Sequence, residues 1–428
     1  MRLGIRAIGL LVGALGAAIV HGAVFADDRA LFTAEELAAI YAHSPLGKPA
    51  PDPTNAVADD PSAARLGQAL FYDARLSANG QVACATCHQP VLAFTDGLPV
   101  AKALGTGTRN TPSLLNEAFG HWFFWDGRSD SQWSQALKPM ENPREAGSDR
   151  LHILHEVFAD PALRGAYRAV FGPLPPLQDP RFPAHARPDP DPDSAVNAAW
   201  RAMAAADRAA VDRAYANLGK SIEAYERGLV SGDSAFDRYV TGLRAGDAAA
   251  QAALSPAAKR GLRLFVGAAH CELCHAGPAF SDGQFHNLGL PLLPGAAQDQ
   301  GRGGGIAQLR ADPFNSAGVF SDSGGAAAQE RLRFLSSAGA MLGAFKTPCL
   351  RNVALTAPYM HDGRFVTLEQ VLNFYAAAAS SDQGHRIGRR EKTLSLVPRL
   401  TATQRQDLVS FLRTLTSPLP PRALLGPP

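Results

Sequence analysis

Apolar residues recur with helical spacing in several separate segments of the chain. Their positions fall three and four residues apart, which is typical of amphipathic helices. These segments span residues 149–158, 217–229 and 401–415. Pro61 and Pro256 open two further apolar segments at the position that favours the first turn of a helix, and Ser255 is placed to cap the second. Alternating patterns typical of strands are few, so the sequence predicts a mainly α-helical protein.

Two segments interrupt this pattern. Residues 172–193 are rich in proline and predict an extended loop or linker. Residues 294–343 are rich in glycine, alanine and serine and predict an irregular insertion. The insertion contains GRGGG at 301–305, but no strand-to-helix context supports a phosphate-binding loop there. A surface insertion is the simpler interpretation.

The first 26 residues have the features of a secretory signal peptide. Arg2 and Arg6 precede an apolar run, residues 7–20, and AVFA at 23–26 offers a cleavage site. The run is short for a bilayer-spanning helix, so we expect export without a membrane anchor, into the periplasm of a diderm bacterium. Cleavage would lower the 41 basic residues by two, to equal the 39 acidic ones. A neutral mature chain gives no indication of nucleic-acid binding.

Four of the five cysteines lie in two CxxCH motifs. The first consists of Cys84, Cys87 and His88, and the second consists of Cys271, Cys274 and His275. In such a motif two thiols bind the vinyl groups of one haem and the histidine ligates its iron. Two distant pairs with one histidine each are not a common zinc pattern, and a redox-active CxxC needs no following histidine. The sequence therefore predicts two covalently bound c-type haems.

The segments around the two motifs resemble each other. AARLGQALF (63–71) precedes the first motif and AAKRGLRLF (257–265) the second, while AFTDG (93–97) and AFSDG (279–283) follow them. This repetition indicates an internal duplication. We expect two cytochrome c-like haem domains, residues 27–195 with the proline-rich segment and residues 196–428 with the insertion.

Further motifs make the chain similar to a known family. RNTPSLLN, FWDGR, FKTPCLRNVALTAPYMHDG and the two CxxCH motifs resemble the bacterial di-haem cytochrome c peroxidases and their MauG-type relatives. The resemblance covers nearly all of the chain after residue 26, except the two irregular segments. It implies a peroxidase that uses hydrogen peroxide, with a first haem that binds peroxide and a second that transfers electrons.

The resemblance assigns roles to three residues spaced ten apart. Trp125 would pass electrons between the haems, and Gln135 and Glu145 would lie over the peroxide-binding haem. A carboxylate there can move a proton between the peroxide oxygens and promote cleavage of the O–O bond. Taken singly, these residues are also compatible with core packing or a solvated surface, so the assignment depends on their joint spacing with the motifs.

The loop before RNTP bears on the state of the first haem. In the peroxidases it carries a histidine that caps this haem, whereas residues 98–112 of this chain contain none. We therefore expect a five-coordinate first haem, as in the MauG type. His121 is the nearby alternative cap.

The second haem is expected to take its sixth ligand from segment 367–375. Thr367 and Gln370 form a capping-box pattern at its start. Tyr375 stands where the peroxidases have methionine and the MauG type has tyrosine. A buried core tyrosine is the alternative, with Met360 and Met341 as rival ligands.

Other residues are assigned only by resemblance. His361 matches a histidine beside the second haem. The resemblance also implies a calcium site between the two domains, with Asn110, Thr356 and Pro358 as its ligands. One departure is that Ala269 and His270 stand where the MauG-type enzyme has the tryptophan that passes oxidising equivalents to its protein substrate.

The resemblance leaves more than one function open. The electrons would come from a carrier protein, a cytochrome c or a cupredoxin, or from side chains of a protein substrate that the enzyme modifies. A non-catalytic di-haem electron carrier is a further alternative. The methylamine dehydrogenase precursor, the substrate of the MauG-type enzyme, is a doubtful substrate because of the departure at Ala269 and His270.

Overall fold

The computed structural model describes residues 27–324, 329, 332–378 and 387–428. The predicted signal peptide, residues 1–26, lies outside these residues. The α-helices are α1 Ala34–Ala42, α2 Pro61–Phe71, α3 Cys84–Cys87, α4 Gln132–Glu141, α5 Arg150–Ala159, α6 Pro161–Phe171, α7 Ala195–Ala202, α8 Ala205–Glu226, α9 Ala235–Ala245, α10 Ala248–Gln251, α11 Pro256–Val266, α12 Arg302–Ala311, α13 Leu368–Ala378 and α14 Ala402–Arg413. The strands described, β1 Phe285–His286 and β2 Phe345–Lys346, form one antiparallel pair. The prediction of a mainly α-helical fold is confirmed.

The predicted helix starts agree with the structure. Pro61 and Pro256 are the first residues of α2 and α11, and the Ser255 side chain accepts a hydrogen bond from the Ala258 backbone N–H. Thr367 and Gln370 form both hydrogen bonds of the capping box before α13. Each of these side chains satisfies a backbone group that the first turn leaves unpaired, which is why the sequence identifies these starts.

The first hydrophobic core lies between α2, α4, α5 and α8. Its largest buried side chains include Phe71, Trp133 and Tyr215. Helices α2 and α8 cross so closely at Gly67 that a Cβ there would lie 1.8 Å from the Ser221 carbonyl oxygen. Only glycine fits such a crossing, and the close approach places the C-terminal half of α8 directly behind the first CxxCH motif.

The second core repeats this arrangement with α9, α11, α13 and α14. Phe265, Phe280 and Phe411 pack against one another with ring centroids 5.1–6.2 Å apart. At the crossing of α11 and α14, a Cβ on Gly261 would lie 2.0 Å from the Asp407 carbonyl oxygen. The glycine crossings of the two cores correspond to each other, as the internal duplication predicts.

The two cores do not divide the chain at the proline-rich segment. Helix α8 follows that segment but belongs to the first core, whereas α1 precedes the first motif and packs against α11 of the second core. The proline-rich segment is free of helix and strand, as predicted, but Leu177 and Phe182 bury their side chains in the first core. It is therefore a packed loop rather than a flexible linker.

The expectation of an irregular surface insertion at 294–343 was wrong. The segment contains α12, whose first turn includes the GRGGG residues, and its Phe314 and Phe320 lie in the first core. A Cβ on Gly305 would lie 2.3 Å from the Asp126 carbonyl oxygen, so this glycine permits close packing of α12. Lys138 and Asp312 form an ion pair between α4 and the insertion. The insertion thus fastens the second half of the chain onto the first.

Among the residues that the structure describes, no helix combines the length and the apolar character needed to cross a bilayer.

Candidate active site

Both motif histidines are held in one orientation by a backbone carbonyl. His88 follows α3, and its Nδ1–H donates to the Phe94 oxygen at 3.0 Å. His275 donates in the same way to the Phe280 oxygen at 2.9 Å. Because a carbonyl can only accept, Nδ1 carries the proton and Nε2 keeps its lone pair. Burial lowers the pKa of both histidines, so each is a neutral imidazole, the form that binds metals.

Each motif lies on a separate cavity. Cys87 and His88 line a first cavity of about 390 Å³, and Cys271, Cys274 and His275 line a second of about 540 Å³. Both volumes are in the range of small-molecule and cofactor sites. Apolar side chains wall the second cavity: Phe265, Leu368, Leu372, Leu408 and Leu412.

The thiols do not resemble reactive or metal-binding cysteines. Burial raises the pKa of Cys84 and of Cys271 to about 12, whereas redox-active CxxC thiols have lowered values. One group of potential metal ligands, Cys274 with Asp282 and His286, occurs among the described residues. His286 lies between Asp282 and Glu391, which help raise its pKa to about 11, so neither ring nitrogen is free to bind an ion. This geometry does not favour zinc.

The structure brings Gln135 and Glu145 together on the first cavity with His88. Gln135 lies on α4, and Glu145 follows that helix in a turn where its carboxylate accepts from the Asn142 side chain. Burial raises the pKa of Glu145, and the nearby Arg128 guanidinium opposes that shift. A carboxyl group of raised pKa on the wall of a cavity suits proton transfer at moderate pH.

The first cavity offers one histidine. Among the described residues that line it, none besides His88 is a histidine, methionine or tyrosine. The histidine-free loop contributes Ala101, Ala103 and Thr108, whose side chains do not ligate haem iron. His121 is exposed and is not among the lining residues. The prediction of an open coordination position on the first haem is compatible with this lining.

Trp125 lines both cavities. Its indole Nε1–H donates to the Asn110 backbone oxygen at 2.9 Å, and its own carbonyl accepts from the Lys346 N–H of β2 at 2.8 Å. These bonds fix the ring between segments that come from the two halves of the chain. Trp125 therefore borders both cavities, and its role in electron transfer stays a prediction.

Tyr375 lies on α13 and lines the second cavity with Leu368, Val371 and Leu372, so the predicted helix face borders this cavity. Burial in these apolar surroundings raises the pKa of Tyr375. Of the rival ligands, Met360 also lines this cavity, whereas Met341 is not among its lining residues. The structure therefore leaves Tyr375 and Met360 in reach of one site.

His361 also borders the second cavity, where its ring stacks on Phe345 at 3.6 Å between centroids. Burial lowers its pKa to about 4, so the imidazole is neutral. Its backbone oxygen accepts from the Asn110 N–H at 2.8 Å. The residues of the expected calcium site, Asn110, Thr356 and Pro358, line the same cavity. They thus border one cavity, although none of them is acidic.

The sequence analysis did not single out Glu117 and Glu226. Glu117 borders both cavities and pairs with Lys346 of β2 at 3.0 Å. Glu226 ends α8 and lines the first cavity. Glu226 could have been found by aligning the two halves of the chain, because the corresponding residue of the second half is apolar.

The residues fit two haems. The first motif presents Cys87 and His88 to its cavity, and the second motif presents Cys271, Cys274 and His275 to the other; both histidines are neutral with an unprotonated Nε2. The Nδ1–H···O bonds orient the rings and strengthen the imidazoles as ligands. Cys84, Cys87 and His88 would hold the first haem; Cys271, Cys274 and His275 would hold the second.

Comparisons with known proteins agree with this geometry. Residues 61–245 match the family described as di-haem cytochrome c peroxidase. The methylamine utilization protein MauG of Methylorubrum extorquens is 32% identical over 410 residues, which cover 94% of this chain and 91% of that protein. The cytochrome-c peroxidase IdrP1 of Denitromonas iodatirespirans is 33% identical over 404 residues, with 91% and 92% covered.

Solved structures show the same fold. A MauG-like protein associated with microbial copper homeostasis is 27% identical with a TM-score of 0.60, covering 89% of this chain and 96% of that one. The di-haem peroxidase BthA of Burkholderia thailandensis, 24% identical with a TM-score of 0.60, covers 89% of this chain and 92% of its own, and supports the fold. Membership of a di-haem family implies two haems. With two CxxCH cavities and relatives of this similarity, the chain belongs to the di-haem cytochrome c peroxidase and MauG family of oxidoreductases.

Proposed function

We propose that this protein is exported to the periplasm and reduces hydrogen peroxide in the first cavity, with electrons drawn through the second haem from a donor protein. The observation that carries the proposal is the lining of the first cavity. It combines the motif histidine His88 with Gln135 and Glu145 and contains no second histidine, methionine or tyrosine among the described residues. An electron carrier would need no such open, proton-transferring cavity.

Bound at His88, a haem iron would supply the electron transfer that breaks the peroxide O–O bond. The side chains around it handle protons and orientation. Glu145 accepts a proton from one peroxide oxygen and returns it to the other, which becomes the leaving water. Gln135 is placed to hydrogen-bond the peroxide. Asn142 holds the Glu145 carboxylate in position through its amide N–H.

The route to the donor leads through the second cavity. Trp125 borders both cavities and would carry electrons between them. The donor we propose is a small carrier protein, a cytochrome c or a cupredoxin. A calcium ion held by Asn110, Thr356 and Pro358, which all border the second cavity, would join the two halves of the chain, since its hard oxygen ligands come from both halves.

The experiment is the reaction of the oxidised di-haem protein with peroxide, followed by stopped-flow absorbance. Glu145→Gln keeps the acceptor oxygen for Asn142 but cannot carry a proton, so the reaction should slow by about 100-fold or more while haem content stays unchanged. Glu156→Gln, on the partly buried face of α5 away from both cavities, is the control. An unchanged rate in Glu145→Gln would contradict the role of this carboxylate. A wild-type protein inert to peroxide would favour the electron-carrier alternative.

A second candidate is peroxide-dependent modification of a partner protein, as in the MauG type. The position of Tyr375 on the second cavity favours it, because an anionic tyrosine ligand stabilises oxidised iron better than a thioether does. Ala269 is fully buried and His270 is exposed where the resemblance places the exit tryptophan, so the substrate would differ from the methylamine dehydrogenase precursor. Mass spectrometry of co-purified partners after peroxide addition would detect modified side chains; steady peroxide turnover with reduced cytochrome c would favour the first candidate.

A further inference from the structure

Glu226 is a buried carboxyl group on the first cavity that the proposed mechanism leaves unused. It is the last residue of α8, its side chain and backbone together are 4% exposed, and it lines the cavity that also contains Gln135 and Glu145. The Gln132 Nε2–H donates to it at 3.3 Å. In the part of the chain that the structure describes, no ion pair to Glu226 is present, in contrast to Glu117, which pairs with Lys346.

The internal duplication shows which residue this position holds in the other half. Asn116 donates its backbone N–H to the Leu229 carbonyl and its side-chain oxygen accepts from the Ser231 N–H. Asn352 makes the same two contacts with Leu415 and Ser417. Leu229 therefore corresponds to Leu415, and Ser231 corresponds to Ser417. In this register Glu226 corresponds to Leu412, which is buried and lines the second cavity.

The contrast indicates a chemical role. A leucine fills the position where the cavity serves electron transfer, and a carboxyl group fills it where the cavity is open to a substrate. Burial disfavours a carboxylate that has no cation beside it, and the C-terminal end of a helix adds negative potential, so the neutral acid is favoured here. Burial raises the pKa of Glu226 to about 8, and the Glu117 carboxylate adds to the shift.

The charges of the other groups near Glu226 do not change the conclusion that its carboxyl is neutral. Cys84 borders it from α3 and carries no charge once its sulfur is bound to a haem vinyl group. Glu145 and Arg128 lie on the same cavity and offset each other's charge. Glu226 is therefore the neutral carboxyl of the cavity, and Glu145 the one held nearer to ionisation by a guanidinium.

We propose that Glu226 holds a proton in the resting protein and donates it to the first cavity during turnover. The inference rests on the proposed function. Reduction of hydrogen peroxide to two waters breaks one O–O bond and takes two electrons, from the reduced carrier protein, and two protons. Glu145 only relocates a proton that peroxide already carries. The net protons must enter the cavity, and Glu226 supplies one of them, becoming a carboxylate that is then reprotonated from solvent.

Infrared difference spectroscopy of the oxidised di-haem protein, without peroxide, tests the protonation state directly. The band of a protonated carboxyl should disappear as pH rises through about 8. It should be absent in Glu226→Gln and present in Glu223→Gln, the matched control one turn earlier in α8. Glu223 is equally buried but bonds to the Trp133 N–H and does not line the cavity. Burial also raises the pKa of Glu223 and of Glu145, so bands of these two groups are expected to remain in Glu226→Gln. A spectrum of Glu226→Gln that equals the wild-type spectrum at every pH would overturn the assignment.

Turnover with a reduced cytochrome c then tests the donation. In Glu226→Gln and Glu226→Leu steady turnover should fall by about 100-fold, the contribution of a positioned acid. The wild-type decrease of turnover above about pH 8 should vanish in both variants. Glu226→Asp, which keeps the acid, should recover part of the turnover. Haem content and thermal unfolding establish that the variants are folded.

The turnover measurements distinguish a failure of the proposed function from a failure of the role proposed for Glu226. If wild-type protein consumes no peroxide, the proposed function is wrong. If wild-type protein turns over and Glu226→Gln equals it at every pH, the function stands and the proton-donating role of Glu226 is wrong.

Discussion

Replacing Gly261 by alanine should destabilise the second core, because α11 and α14 meet at this residue. A Cβ at this position would lie 2.0 Å from the carbonyl oxygen of Asp407 and 2.9 Å from the Cβ of Phe411. Ordinary Cβ contacts begin at 3.4 Å, so the two helices must move apart by 3.4 − 2.0 = 1.4 Å at the crossing. The obstacle is backbone, which cannot swing away as a side chain can.

The magnitude follows from two opposing terms. Overpacking that shifts backbone costs roughly 3 kcal/mol, at the upper end of its usual range. Alanine recovers about 1 kcal/mol over glycine in a helix interior. The net loss should be about 2 kcal/mol, which corresponds to a fall in Tm of about 4–8 °C. Because Leu408 and Leu412 of α14 line the second cavity, the absorbance of the second haem should report the same transition.

Matched variants make this test specific. Gly67→Ala is the equivalent change in the first core, with 1.8 Å to the Ser221 carbonyl oxygen, and should cost at least as much. Gly165→Ala in α6 has no atom within 4 Å of the added Cβ and should raise stability by up to about 1 kcal/mol. Thermal unfolding followed by circular dichroism and haem absorbance measures all three. A Tm for Gly261→Ala equal to or above that of wild type would refute the close-crossing argument.

Three further predictions concern the sites. If Tyr375 ligates the second iron, Tyr375→Phe should change the ferric absorption spectrum, and Tyr375→Met should raise the reduction potential of that haem. Spectroelectrochemistry measures both. Spectra identical to wild type would show that Tyr375 only packs in the core. Arg351 lowers the pKa of Asp237 to about 2 despite burial, so this pair adds about 2 kcal/mol of stability that is present above about pH 4 and lost as pH falls toward 2. Asp237→Asn lowers the free energy of unfolding, measured with urea, and this loss should therefore become smaller as pH falls over that range. A loss that is the same at every pH would contradict the role of the ion pair. As a proton acceptor Glu145 must be ionised, so the rate of the peroxide reaction should increase as pH rises through the raised pKa of Glu145. The rate in Glu145→Gln should not show this increase. An increase that persists in the variant would point to another titrating group.

The sequence determined the parts of this protein that depend on neighbouring residues. The CxxCH motifs predict the haem ligands because thiols and imidazole lie within one turn. Pro61, Pro256 and the Thr367–Gln370 box identify helix starts because caps bond to backbone groups two or three residues away. The 3.6-residue period identified the helical segments and correctly placed Tyr375 on the apolar face of α13.

Only the tertiary structure decided which distant segments share a cavity. Glu226 lies 138 positions after His88 (226 − 88) and reaches the first cavity because Gly67 lets α8 cross α2 closely. Likewise Trp125 borders both sites since β2, more than 200 residues later, bonds to its backbone. The proline-rich segment and the insertion bury aromatic side chains that local composition presented as loop residues. Periodicity and capping are local properties, whereas packing between cores depends on contacts that no sequence window contains.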